Sequence, residues 1–296
     1  MIPPPTTGIR SVLRTSATGQ IFPEAIQGAR DLNSPADGAD ADYWSSVVES
    51  RLPAGGTLWR AHSDAVNARL LERWLPAQAG LRILKTDLFD EAVAPGVYPL
   101  LAERAARVAG IDVSPAVVEA ATRRYPDLEA LVADVRRLPF DEGTFDVVVS
   151  VSTLDHFETA ADLEAGLAEL RRVLVPGGTL VVTLDNGRNP VVALRNRLPL
   201  GILRRLGVVP YFVGATYGPR RLRRVLLESA FDVQEVTVVL HCPRALAVLG
   251  SSLLERGAGE TGRRRYLRFL RGFERLERAP TRSLTGYFAA ARATRR

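Results

Sequence analysis

Four chemically capable side chains stand where short runs of Val, Ile and Leu give out: Asp112 in GIDVSP, Asp134 in VADVRRLPF, and Asp155 and His156 in STLDHF. A carboxylate at such a point can accept hydrogen bonds from both hydroxyls of a ribose, or it can cap the helix that follows. Ser114 already offers a cap, which favours the ribose for Asp112. Asp134 can accept from an adenine amino group, with the backbone N–H of Val135 against a ring nitrogen; the alternative is an ordinary turn aspartate. His156 is the residue type of a general base facing an acceptor, with Asp155 orienting its ring or binding substrate. It can equally pack on the next helix.

Positioning these residues requires strands that end side by side. The runs LRILKTDLF, VAGIDV, LEALVADV, FDVVVSVST and TLVVTLDN read as strands. Between them VYPLLAERAARV, SPAVVEAATRRY and ADLEAGLAELRRVL read as helices, the second opened by Ser114 with Pro115 at its first position. The helix in TLWRAHSDAVNARLLERWLP has Leu70, Leu71, Trp74 and Leu75 at helical spacing, an N-cap at Ser63 or Asp64, and a stop at Pro76. YGPRRLRRVLLESA is a further helix, FDVQEVTVVLHC a sixth strand and LTGYFAAARAT a seventh. Short apolar strands alternating with helices predict a mostly parallel sheet with helices on both faces. In such a sheet, ligands bind beyond the carboxyl ends of the strands where strand order reverses.

Residues 1–40, with five prolines and no sustained period, predict a loosely ordered N-terminal extension. Residues 41–296 then form one domain, with helical additions at about 187–216 and 244–282. Charge is uneven: from Gly187 onward there are 22 arginines against seven acids, whereas the preceding part has 17 basic residues against 26 acids. The two additions combine apolar and arginine-rich faces, as a substrate lid or a helix lying on a membrane surface would. Nucleic acid is not an expected partner, since no aromatic-studded RNA module is present. No apolar run approaches the roughly 20 residues of a membrane span, and MIPPPTTGIR lacks the pattern of a secretory signal. The single cysteine, Cys242, precludes an internal disulfide and fits a reducing, cytoplasmic setting, to which the two additions add the expectation of peripheral membrane contact. Three histidines and one cysteine argue against a zinc site, and no metal is expected.

The order GIDVSP, VADVRRLPFDEGTFDVVVSVSTLDHF and ELRRVLVPGGTLVVT resembles the class I S-adenosylmethionine-dependent methyltransferases, in their small-molecule and quinone-type branch. The resemblance covers roughly residues 58–243 and the last strand. It implies a Rossmann-like α/β fold, a seven-stranded sheet with an antiparallel last strand, and S-adenosylmethionine as cofactor. It also implies a small-molecule acceptor, which the two apolar and basic additions make an amphipathic or lipid-like one, with oxygen or carbon expected as the methylated atom rather than nitrogen. The ribose then falls to Asp112 and Val113, the adenine to Asp134 and Val135, and the methionine part to the backbone around Ser150 and Val151. His156 and Asp155 become the catalytic pair. Arg60 can pair with the cofactor carboxylate or lie exposed, and with His62 it would cover the site from before the first helix. His241 is structural.

One stretch departs from the family. Its first strand ends in a pattern like Asp-x-Gly-x-Gly-x-Gly, glycine letting backbone approach the cofactor closely. ILKTDLFDEA places Lys85 at the first acid and Asp87, Phe89 and Glu91 at the glycines. Three accounts follow. Thr86, Asp87 and Phe89 hold the cofactor differently, Asp87 meeting its ammonium; or the pocket is closed and the chain is a silent scaffold or regulator; or the ligand is another molecule, such as a nucleotide.

Overall fold

The computed structural model describes Ser45 and residues 57–157, 159–198, 214 and 216–296. The expected N-terminal extension and the middle of the first addition lie outside the described residues. Seven strands form one sheet: β1 (Leu81–Lys85), β2 (Ala105–Asp112), β3 (Glu129–Val132), β4 (Phe145–Val151), β5 (Leu174–Asp185), β6 (Phe231–Val239) and β7 (Phe288–Arg295). Their order is β3-β2-β1-β4-β5-β7-β6. β7 runs antiparallel to both neighbours, and the other pairings described are parallel. The expected sheet and its antiparallel last strand are both present.

Successive strand residues serve opposite faces. Ile83 and Val147 join the core built with Leu70, Leu71 and Trp74 of α1 (Thr57–Trp74), Leu101 of α3 (Tyr98–Arg104) and Val117 of α4 (Pro115–Arg124), beyond the short α2 (Phe89–Val93). Leu84 and Val148 join the other core, with Leu163, Leu167 and Leu170 of α5 (Ala160–Val173) and Leu222 and Leu226 of α7 (Pro219–Glu228). Each such Leu or Val buried from water contributes roughly 1.5–3 kcal/mol. β7 is lined by fully buried Ala289, Ala290, Ala291 and Ala293. Alanine is a poor strand former in isolation, but its small side chain lets layers close on both faces. The additions supply α6 (Pro190–Arg195), then α8 (Arg244–Gly257) and α9 (Glu260–Phe273), with α10 (Arg282–Thr285) leading into β7.

Three local expectations are corrected. Helix α3 stops at Arg104 rather than continuing to Val108, because Ala105 and Arg107 pair in parallel with Leu81 and Arg82. Helix α1 begins at Thr57, so neither Ser63 nor Asp64 caps it; Asp64 instead accepts from the N–H of Gly96 at 3.2 Å. His62 accordingly lies within the helix, fully buried, and does not cover the cleft. The cap expected at Ser114 is present, its hydroxyl accepting from the Val117 N–H at 3.3 Å with Pro115 first in the helix.

Candidate active site

The sheet reverses strand order between β1 and β4, and a cleft opens beyond their carboxyl ends. It is lined by Thr86, Asp87 and Phe89 after β1, Asp112 and Val113 at the end of β2, and Ala133 to Arg136 after β3. Ser152, Thr153, His156 and Phe157 after β4 complete it.

Hydroxyls stitch β1 to β4. Thr86 Oγ1 lies 3.0 Å from Ser150 Oγ, to which it donates, and 2.8 Å from Thr153 Oγ1, while its N–H donates to the Val149 carbonyl at 3.1 Å. The chain then turns on Asp87, whose Oδ1 accepts from the Phe89 N–H at 2.6 Å. The Leu88 N–H donates to Asp112 Oδ2 at 3.1 Å, and the Ser114 N–H to Asp112 Oδ1 at 2.9 Å. Asp112 thus holds the first loop as well as facing the cleft. Leu88, fully buried, lies on Gly110 of β2, where a Cβ would come within 2.5 Å of it.

Beneath this turn is a buried ion pair, Lys85 Nζ to Glu91 Oε2 at 2.8 Å. Glu91 Oε1 also accepts from the N–H groups of Val97 and Tyr98 at 2.9 and 3.2 Å, and Lys85 donates to the Asp87 carbonyl. Burial pulls the Lys85 ammonium down, but Glu91 and Asp87 overcome it and hold it above its ordinary value. Gly96 is required here: its φ is +61°, and a Cβ would meet the Glu91 carboxylate at 2.3 Å. All three family glycine places are therefore filled by residues with structural work: Asp87 closing the turn, Phe89 opening α2 and Glu91 in the ion pair.

The cleft is acidic where the loop and β2 meet. Burial pushes the Asp87 carboxyl up to about 8, Lys85 opposing and Asp112 and Asp90 adding to the rise. Burial likewise pushes Asp112 up to about 6 against its two backbone donors, Lys85 and His156. Two carboxylates that are costly to ionise together suit a ligand bringing positive charge and hydroxyl groups.

On the wall formed after β3 the Arg136 guanidinium engages both oxygens of Asp134, with Nε at 3.1 and 2.9 Å, and lies over the Phe157 ring at 5.1 Å to its centre. Its hydrogen bonds to the Asp134 carboxylate hold Arg136 above its ordinary value. After β4, Ser152 takes a left-handed φ of 53°, a conformation that costs about 1–3 kcal/mol for a residue with a side chain. Its hydroxyl donates to Asp155 Oδ2 at 3.0 Å, and the Asp185 N–H donates to the same oxygen at 3.1 Å. Burial pushes Asp155 up to about 6, His156 opposing. His156 Nε2 is 4.0 Å from Asp155 Oδ1.

The structure therefore brings together Thr86, Asp87, Phe89, Asp112, Val113, Asp134, Val135 and His156 of the expected site. Asp155 is sealed beneath the cleft at 1% exposure, Ser150 is buried behind the hydroxyl chain, and Val151 is not on the lining. Arg60 is not on the lining either; it lies 3.4 Å from Asp90 and over the Phe89 ring. Ser152, Thr153, Arg136 and Phe157 line the cleft without having been singled out. Their signal was position: polar or aromatic residues within six of a strand end already chosen.

Residues 95–182 match the family described as a methyltransferase domain. The match begins at Pro95, three residues beyond the end of ILKTDLFDEA at Ala92. A demethylmenaquinone methyltransferase of Beutenbergia cavernae is 39% identical over 126 residues, 42% of this chain and 46% of that protein. The chain spans 36–53% of the demethylmenaquinone methyltransferases it matches. Among solved structures, a geranyl diphosphate C-methyltransferase from Streptomyces coelicolor A3(2) superposes with a TM-score of 0.58 at 15% identity, covering 89% of this chain and 99% of that one. The [4+2]-cyclase SpnF superposes at 0.52 with 19% identity, covering 78% and 81%. At those identities the shared property is the fold.

Proposed function

We propose, because the chain belongs to the class I S-adenosylmethionine-dependent methyltransferase family, that it transfers a methyl group from S-adenosylmethionine to a small amphipathic acceptor, at oxygen or carbon. One observation carries this reading: Asp87, Asp112 and His156 reach the same cleft at the strand-order switch. The cofactor fits the residues present. Asp112 would take the ribose hydroxyls, Asp87 the ammonium, and Phe89 would pack against the methionine or adenosine part. Asp134 is already bound to Arg136, so the adenine side falls to Val135 and the Arg136–Phe157 stack beside it.

S-adenosylmethionine supplies an already activated methyl group when bound. The chain's own residues align the acceptor and exclude water. His156 is placed to take a proton from a hydroxyl acceptor, and Asp155, too buried to touch substrate, acts as a positioning residue for it. An amphipathic acceptor is supported by Phe89, Val113, Val135 and Phe157 on an otherwise largely polar lining, and by the exposed Leu246, Leu249 and Leu253 of α8 and Phe269 of α9 among arginines. That surface suits peripheral contact with a membrane. No helix among the described residues is long and apolar enough to cross one.

A second reading, a silent binding partner, is favoured by the filled glycine positions. Titration calorimetry with S-adenosylmethionine and S-adenosylhomocysteine separates the two. Binding is expected, weakened about 10–100-fold by Asp112→Ala through loss of hydrogen bonds to a charged group. Absence of heat with both ligands would leave the silent reading.

A further inference from the structure

We infer that His62, Cys242 and Glu274 form a binding site for one divalent metal ion of the zinc class, tying α1 to the C-terminal helical addition. The three come from separate segments: α1, the residues just after β6, and the junction following α9. Their ligating atoms all lie within 4.8 Å of one another.

His62 is the informative member. It is 0% exposed, and neither ring nitrogen has a hydrogen-bond partner among the described residues. A buried imidazole normally finds a partner for at least one nitrogen. Its Nε2 stands 3.4 Å from Glu274 Oε1, within ion-pair range yet making no hydrogen bond. That separation is the edge of a tetrahedron whose centre is about 2.0–2.1 Å from both atoms, the usual zinc–nitrogen and zinc–oxygen distance. Imidazole, sulfur and carboxylate together select zinc, or cobalt as its substitute, over magnesium or calcium, which prefer all-oxygen sets. Glu274 is held from outside, its Oε1 accepting from the His241 N–H at 3.0 Å, as outer partners commonly hold metal-binding carboxylates.

Burial, with Glu274 adding, pushes the Cys242 thiol up to about 12, so on its own it stays protonated. A bound dication reverses this, the thiolate ligating the metal and its proton leaving to solvent. Glu274, with 14% of its side chain exposed, marks the side from which the ion and a water in the fourth position would enter.

The test uses the full chain, stripped with chelator and dialysed against zinc. Elemental analysis should find one zinc per chain, and loading with cobalt(II) should give a thiolate-to-cobalt charge-transfer band. His62→Gln and Cys242→Ala should each weaken zinc binding at least tenfold and abolish the band, with circular dichroism reporting the fold. A folded wild-type chain that takes up no zinc overturns the site, as does zinc binding that persists unchanged in both variants, which would place the ion on another histidine. Should the variants not fold, the wild-type cobalt spectrum decides, and a spectrum without a thiolate band overturns the proposal.

Discussion

The two loops that face each other across the cleft reach fixed shapes by opposite means. The loop after β1 is held by side chains: a buried Lys85–Glu91 pair, the turn closed by Asp87, and the Asp112 carboxylate taking the Leu88 N–H. The loop after β4 carries backbone strain at Ser152 and is held against it by the buried Asp155, which takes the Ser152 hydroxyl and fastens the loop to β5. The first arrangement replaces conformational freedom with charge, and the second keeps a left-handed position without glycine. A family's glycines mark one solution to bringing backbone near a ligand, and charge buried underneath can hold a different path.

The largest effect should come from breaking the pair under the first loop. Lys85→Met leaves Glu91 as an unanswered buried carboxylate and should destabilise the chain by about 3–5 kcal/mol, read by urea denaturation. Adding Glu91→Gln, which removes the charge but keeps an acceptor for Val97 and Tyr98, should recover most of that loss. If it does not, the pair is not what fixes the loop.

A smaller effect distinguishes a carboxylate that meets a cation from one that merely closes a turn. Asp87 ionises as pH rises through about 8, so if it meets an ammonium, affinity for S-adenosylmethionine should climb between about pH 6 and 9. Asp87→Asn should be flat above the Asp112 titration near 6 and weaker by about tenfold at the alkaline end, one pKa unit's worth of interaction. Without ligand the sign for stability runs the other way. The native state keeps a proton that the unfolded state gives up near 4, so stability falls as pH rises towards about 8. Calorimetry and denaturation at stepped pH check the two together, and identical pH profiles for wild type and variant would return Asp87 to the turn alone.

The smallest effect concerns the second loop. Ser152→Gly relieves the left-handed strain but removes the hydroxyl that donates to Asp155. The net change should lie within about 1 kcal/mol of zero. A loss well beyond that would show the Ser152 hydroxyl to be the stronger fastening.

Much of the fold was legible because alternating apolar runs and helices leave few arrangements for a parallel sheet. Ser114 with Pro115 marked its helix start, and Asp112 and Asp134 marked strand ends. Errors came where tertiary pairing overrode local preference. AARV continues an alanine-rich helical pattern, yet Ala105 and Arg107 are drawn into β2 by pairing with Leu81 and Arg82. Asp155 has the type and position of a cleft residue, but the neighbouring Ser152 φ and the Asp185 N–H turn it inward. The His62, Cys242 and Glu274 cluster was invisible, since counting histidines and cysteines says nothing of residues 180 and 32 positions apart that only the closed sheet brings together.

The alanine-lined β7 has a consequence for how the molecule is made. It pairs with β5 through Thr179–Asp185 on one side and with β6 through Phe231–Val239 on the other, so it is the central plank of that half of the sheet. Yet it leaves the ribosome after both of its neighbours. Until Phe288 and the residues beyond it emerge, β5 and β6 each present an open flank to any passing strand. A nascent chain stalled before that point would be at its most prone to pair wrongly, and the half-sheet locks only when synthesis has run past it.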